Sequence, residues 1–394
     1  MDFQFTDEQR MMKETVYKWA LKELGPLQEK IDEEDWFPPD FFKKCAELGI
    51  LGITISEEYG GLDGDILMQT LAVEEMSRIC PALAMTYGTH SNLCANNIHR
   101  NASPALKKRY LPPLVAGEKI GALALTEPNA GSDAMGIRTR AVKKGDRFIL
   151  NGSKMFITNG PVADILLVYA KTVPEKGAKG ISAFIVEKDF PGFFVSRSLK
   201  QCGMRGSPTG ELVFDNCEVP EENLVGELNM GVHVMTSGLD IERIVLAGGS
   251  IGMAQQALDY SIRYAVEREQ FGQPIANFQM IQQKLADMFA RTEAARLLLY
   301  RAATMAQESH RGGKGTELTK LAAAAILLAS ETATWVCGQG VQIHGGYGYC
   351  LEFPVQKLWR DAKLYEIGAG TSEIRRMIIA RELTREEFAR RRQR

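Results

Sequence analysis

The segment Leu239–Gly249, LDIERIVLAGG, sets three charges, Asp240, Glu242 and Arg243, into an otherwise apolar helical run. A carboxylate on an apolar face has specific chemistry. Burial raises its pKa from an ordinary value of about 4.3 toward neutrality, where it can remove a proton from carbon. The alternative for Glu242 is a helix-surface residue paired with a cation; Asp240 and Arg243, three apart, are spaced to pair with each other. Two further stretches suit a ligand. Ala124–Asp133, ALTEPNAGSD, combines small residues, a glycine that permits close backbone approach, and hydroxyl donors, although an ordinary polar loop has the same composition. Gln342–Asp361, QIHGGYGYCLEFPVQKLWRD, places glycines at a helix end, and its Lys357, Arg360 and Asp361 read as a surface charge network. Other chemistries are excluded. The five histidines form no HExxH, and there is no Walker loop, no GxSxG and no GxGxxG between a strand and a helix.

The elements that must position these residues fall into three regions. Residues 1–120 read as helices. Thr6-Asp7-Glu8-Gln9 fits a capping box ahead of a helical run through Leu24. FPPDFFKKCAELGILG, ILMQTLAVEEMSRIC and AMTYGTHSNLCANNIHR follow as helices, with EEYGGLDGD as a loop. Residues 121–232 carry short β-rich runs (RFILNGSKMFITNG, DILLVYAKT, ISAFIVEK, FFVSRSLKQ, GELVFDNCEV) between turn signals such as Asn151-Gly152 and Asn159-Gly160. That pattern predicts an antiparallel barrel or sandwich. In residues 233–394 the helical period returns and predicts a helix bundle. Gly312-Gly313-Lys314-Gly315 breaks it before a further helix, residues 371–390 form the last one, and the RRRQR tail reads as a frayed end. The fold class expected is α+β, mostly α.

Composition adds exclusions. The chain has 394 residues, 45% hydrophobic and 24% charged, with 47 basic against 49 acidic residues and a net charge of -2. No nucleic-acid or membrane-surface signature follows from that balance. Seven scattered cysteines without a CxxC read as reduced thiols. The segment MDFQFTDEQR has no signal-peptide core, and no uninterrupted apolar run reaches about 18 residues. The expectation is a chain without membrane insertion, located in the cytoplasm, or in the mitochondrial matrix if it is a mature eukaryotic chain.

Taken together, the two ligand-like stretches resemble the paired signatures of the acyl-CoA dehydrogenase family. The first fits small-aliphatic, Ser/Thr, Glu, x, x, small, Gly, Ser, Asp, and the second fits Gln-x-x-Gly-Gly-x-Gly-Tyr-x-x-acid-x4-Lys-x3-Asp. The resemblance runs the length of the chain. It implies an N-terminal helical domain, a middle β domain and a C-terminal four-helix domain, assembled as a homotetramer with FAD as cofactor. The implied reaction removes hydrogens from Cα and Cβ of an acyl-CoA and passes electrons to an electron-transfer flavoprotein. By the same resemblance, Leu123, Leu125, Thr126, Gly131 and Ser132 line the flavin, with Ser132 also touching the CoA arm. Phe156, Ile157 and Thr158 cover its other face, Phe156 standing where many members have Trp. Arg268, Phe271 and Gln279 resemble residues that reach a neighbouring subunit's FAD; Gln342, Gly345 and Gly346 resemble those at its adenosine end; Thr371 and Ser372 meet it near the flavin.

The base departs from the commonest pattern. Many members place a glutamate directly before Gly-Thr-Ser, but here that segment reads Tyr365-Glu366-Ile367-Gly368-Ala369-Gly370-Thr371-Ser372, with the untitratable Ala369 in the position. In the isovaleryl-CoA and long-chain subgroups the glutamate comes from a segment like LDIERIVLAGG, and Glu242 matches it. Glu366, three residues away, is expected to face elsewhere. The resemblance gives the Ala369 N–H to the thioester oxygen and places Arg243, Asp240 and His233 near the substrate, with His233 equally readable as a helix-face residue. YGTHSNLCANNIHRN and RDAKLYEIGAGTSEIRR resemble the isovaleryl-CoA subgroup most, and Gly368-Ala369-Gly370 leaves room for a branched chain. Met85, Thr89 and His233 depart from that subgroup, so a cyclic or straight short chain, an enoyl-CoA reductase and a non-enzymatic assembly protein stay open as alternatives.

Overall fold

Helix α1 (Asp7–Glu23) starts at the expected capping box: the Gln9 N–H donates to Thr6 Oγ1 (3.2 Å) and the Thr6 N–H to Gln9 Oε1 (3.1 Å). The computed structural model describes residues 4–310 and 316–392, so the expected Gly312–Gly315 break and the end of the RRRQR tail lie outside it. Helices α2 (Gln28–Glu34), α3 (Phe41–Glu47), α4 (Ile66–Ile79) and α5 (Pro81–Gly88) follow. The run expected as one more helix changes pitch. Thr89–Asn96 is π-helical between α5 and α6 (Asn97–Asn101), and α7 (Pro104–Val115) closes the helical region. Such π-turns frequently accompany functional sites.

Eight strands come next: β1 (Gly121–Ala124), β2 (Arg140–Lys144), β3 (Arg147–Thr158), β4 (Ile165–Lys171), β5 (Ile181–Glu187), β6 (Phe193–Ser198), β7 (Thr209–Pro220) and β8 (Leu224–Val225). They pair in the order β6-β7-β3-β2-β4-β5-β8, with β1 beside β4. The sheet is antiparallel except at β4, which β1 joins in parallel and β2 meets through one parallel pair. A wholly antiparallel arrangement was expected. Its exception is topological: the β2–β3 hairpin intervenes between β1 and β4, so the chain crosses over rather than turning straight back. Alternate side chains diverge, as strand geometry requires. Phe148, Leu150, Val168, Phe184 and Phe214 fill the sheet's own core, while Leu167, Tyr169 and Ile185 face the helices.

The remaining chain is α8 (Gly231–Glu267), a small hairpin of β9 (Glu269–Gln270) and β10 (Gln273–Pro274), then α9 (Gln279–His310), α10 (Thr316–His344), α11 (Val355–Ala362) and α12 (Ser372–Arg392). Glycines let α8 pack tightly. A Cβ at Gly252 would stand 2.1 Å from the Glu74 carbonyl oxygen of α4, and one at Gly249 2.3 Å from the Tyr365 hydroxyl. Helix α10 is long and apolar enough to cross a membrane by length and composition, but Ala322, Ala325, Ile326, Ala329 and Val336 are buried in the largest core cluster. The expected surface network is internal instead. Lys357 and Asp361 form a buried ion pair, Asp361 also accepts the Met204 N–H, and Arg360 reaches Asp32 and the Cys202 carbonyl. These charges join α11 to α2 and to the loop before β7, where a solvent-facing role would leave the junction unpaired.

Candidate functional site

Glu242 sits in the fourth turn of α8, 9% exposed, with no hydrogen bond or ion pair among the described residues. Burial pushes its carboxyl up to about 7, against the pull of Arg243 and then Arg375. Its helical neighbours are already committed. Asp240 accepts from Arg243 Nη1 (2.8 Å) and from the Thr319 hydroxyl (2.6 Å). Arg243 and Asp240 therefore pair with each other, and what either offers a ligand is what this pair leaves over. Arg375 was not anticipated from sequence. It is fully buried and donates to Ser330 Oγ (3.0 Å) and to the Gly368 carbonyl (2.7 Å), which ties α12 and α10 to the Gly368–Gly370 loop. Burial lowers its pKa to about 10. Nothing in its neighbourhood in the sequence distinguishes it from the exposed Arg376 beside it.

The loop itself is shaped for donation. Ala369 takes a left-handed φ of 55°, which a non-glycine residue adopts at a cost and which aims the backbone sharply. The Gly368 N–H donates to the Leu364 carbonyl (2.8 Å), whereas the Ala369 N–H has no acceptor among the described residues. Glu366 is turned away and paired with Lys363 (2.6 Å). Thr371 Oγ1 caps α12 by accepting the Ile374 N–H (3.3 Å), and the buried Ser372 Oγ has no partner among the described residues.

The opposite wall comes from the β unit. The Leu125–Asp133 turn is clamped from behind by a buried pair: Lys154 Nζ donates to the Leu125 carbonyl (2.9 Å) and to Glu127 Oε1 (2.8 Å). Glu127 also accepts the Arg138 (2.6 Å) and Thr139 (2.9 Å) N–H groups, and the Met155 N–H bonds the Thr126 carbonyl (2.8 Å). Burial lowers the Lys154 pKa to about 8 despite Glu127. Leu123, Leu125 and Thr126 are left half-buried, Gly131 and Ser132 exposed, with open space where a Gly131 side chain would be. A bulge in β3 gives Phe156 a φ of 60° and leaves its ring 65% exposed, while Thr158 is half-buried. Ile157 corrects one expectation: its side chain turns into the sheet core, so only its backbone can cover a ligand. Asn159 joins the two walls, since its Nδ2 donates to the Thr86 carbonyl of α5 and to the Gly121 carbonyl of β1, each at 3.0 Å. A Cβ on Gly88, at the end of α5, would touch Leu246, one turn past Glu242.

These residues converge on one region between α5, α8, α12 and the β1 and β3 ends. A second set does not join it. Arg268 lies at the far end of α8, about 39 Å from Glu242 along the helix at 1.5 Å per residue. Its guanidinium lies 5.7 Å from the Tyr347 ring, next to the exposed Gly345 and Gly346, and Gln279 and Gln342 are exposed as well. Phe271 is 93% exposed at a φ of 52°. His233 is also solvent-facing, in the first turn of α8. The first region fits a planar, aromatic-sided cofactor: an open ring at Phe156, uncrowded glycine backbone at Gly131 and polar atoms at Thr126, Thr158 and Ser372.

Three family models match in register: "Acyl-CoA dehydrogenase, N-terminal domain" over residues 6–118, "middle domain" over 122–217 and "C-terminal domain" over 229–384. The mitochondrial isovaleryl-CoA dehydrogenase of Solanum tuberosum is 49% identical over 97% of this chain and 92% of its own. The butyryl-CoA dehydrogenase structure from Megasphaera elsdenii superposes with a TM-score of 0.94 at 42% identity, covering 98% of this chain and all of that one. A structure described as an electron transferring flavoprotein of Acidaminococcus fermentans has a chain with TM-score 0.94 and 41% identity, covering 97% of this chain and 99% of that one. Similarity at this level, spread over all three domains, decides the matter: the chain belongs to the acyl-CoA dehydrogenase family and is an oxidoreductase acting on CH–CH bonds.

Proposed function

We propose that the chain dehydrogenates a short, branched acyl-CoA of the isovaleryl type with FAD, and that Glu242 is the base for the Cα proton. The observation that carries this reading is the Glu242 carboxyl, buried without a hydrogen-bonded partner and raised to about 7 by that burial. A carboxylate so tuned accepts a proton from carbon far better than one near 4.3. FAD, when bound, supplies the hydride acceptor. Leu123, Leu125, Thr126, Gly131 and Ser132 hold it on one side, Phe156, the Ile157 backbone and Thr158 on the other, and Thr371 and Ser372 at its edge.

The substrate lies between this wall and α8, its thioester oxygen accepting from the free Ala369 N–H, which stabilises negative charge developing there. Arg375 keeps that loop in place through the Gly368 carbonyl and moderates the Glu242 charge. Gly368 and Gly370, with no bulky side chain, leave room for a methyl branch beside Cα and Cβ. The remote Arg268, Phe271, Gln279, Gln342, Gly345 and Gly346 set serves the cofactor of a second copy, which suits a homotetramer. Exposed Val266, Phe271, Met280 and Phe289 give that face the apolar surface an interface needs. An electron-transfer flavoprotein is the proposed acceptor.

The test is anaerobic mixing of the yellow protein with isovaleryl-CoA and butyryl-CoA. Isovaleryl-CoA should bleach the flavin faster. Glu242→Gln should keep FAD and bleach slower by about 10²–10⁴-fold. Normal bleaching by that variant removes Glu242 from its role, and faster bleaching by butyryl-CoA removes the branched-chain assignment.

A further inference from the structure

A second titratable side chain faces the Glu242 turn and has no role in the reading above. Tyr169 is wholly buried on β4, and its hydroxyl has no hydrogen-bond partner among the described residues. An unpaired buried hydroxyl is costly, and native proteins seldom keep one without cause. The ring belongs to one apolar cluster with Leu123 and Leu125, from the cofactor-facing wall, and with Met235 and Leu239 of α8. Met235, Leu239 and Glu242 are spaced i, i+4 and i+7, so they share one stripe of the helix. The α8 stripe that shares this cluster with Tyr169 therefore continues, one turn later, to the Glu242 carboxylate.

We propose that Tyr169 is a positioning residue for Glu242, its phenol donating a hydrogen bond to the carboxylate through one bridging water and aiming the base at the substrate. The inference rests on Glu242 being the base. Three charged or titratable groups interact electrostatically with Glu242: Arg243 from its own helix, Arg375 from α12 and Tyr169 from β4. Arg243 and Arg375 already donate to Asp240, Ser330 and Gly368, whereas the Tyr169 hydroxyl is uncommitted. The other titratable neighbour of the phenol, Cys94, is occupied, its thiol donating to the Ile165 carbonyl (3.8 Å). Burial, and after it the Glu242 charge, pushes the phenol's pKa up and keeps it protonated, as a donor must be.

Tyr169→Phe removes one oxygen and keeps the ring, so the cluster should remain packed. Difference infrared spectroscopy of the purified holoprotein without substrate, with Glu242→Gln as the reference, reads the carboxyl titration directly. In Tyr169→Phe the midpoint should rise by about one pH unit, because the carboxylate loses a donor. The lower limb of the pH profile for flavin bleaching should move by the same amount, with flavin content unchanged. An unmoved infrared midpoint overturns the proposal while leaving Glu242 as the base. Normal bleaching by Glu242→Gln instead overturns the reading on which it rests.

Discussion

Replacing Glu242 by Gln should stabilise the protein in a pH-dependent way, because the features that suit it to catalysis oppose folding. Its carboxyl titrates near the ordinary 4.5 when the chain is unfolded and at about 7 when buried. Below 4.5 both states are protonated and the group costs nothing. Between 4.5 and 7 the unfolded chain releases the proton first, so stability falls as pH rises, and above 7 the full penalty applies. A rise of about 2.5 pH units at about 1.4 kcal/mol each gives about 3 kcal/mol. Glutamine has nearly the same volume and no charge. The difference in unfolding free energy, variant minus parent, should therefore grow by about 3 kcal/mol from pH 4.5 to pH 8. Urea unfolding of both proteins at several pH values, with FAD in excess, measures it. A difference that stays constant with pH refutes the buried, raised carboxyl. The bleaching rate should rise over the window in which stability falls.

Lys154→Met should cost about 3 kcal/mol, because it leaves the Glu127 carboxylate buried with only two backbone donors. The loosened Leu125–Thr126 turn should retain less flavin, and adding Glu127→Gln should recover much of the stability, both readable by urea titration and flavin absorbance. His90 is fully buried, accepts the Gly121 N–H at Nδ1 (2.9 Å), and reaches the Leu114 carbonyl through Nε2 (3.0 Å). Burial lowers its pKa from 6.5 to about 4. Its depressed value means that stability is complete above 6.5 and falls by up to about 3 kcal/mol as pH drops toward 4. His90→Gln should flatten that acid limb in the same titration.

Much of the fold was legible because local signals agreed with the global arrangement. The Thr6–Gln9 box, the Asn159-Gly160 turn and the return of helical spacing each report a nearby backbone event, whereas Asn151-Gly152, also expected as a turn, is a bulge inside β3. Glu242 was singled out less by its apolar run, where an acid reads equally as a helix-surface residue, than by the resemblance of its segment and the untitratable Ala369. The misses are long-range. Lys357 and Asp361, four apart on a helix, look like any exposed i, i+4 pair, and only Met204, about 150 residues earlier, makes them internal. Arg375 reaches the Gly368 loop, and Tyr169 joins the apolar cluster of Met235 and Leu239, through long-range packing that no spacing within their own elements records. Ile157 was misplaced because the β3 bulge changes which side chains face out.

Helix α8 carries Glu242, the proposed proton acceptor, in its first half and leads into the Arg268–Phe271 elbow at its end. On the sharing proposed above, one polypeptide contributes to two catalytic centres. A damaged copy then impairs a neighbour as well as itself, and a mixed assembly can be dominated by its worst member. Conversely, a chain lacking Glu242 and a chain lacking the elbow, each inactive alone, can restore an intact centre when they assemble together.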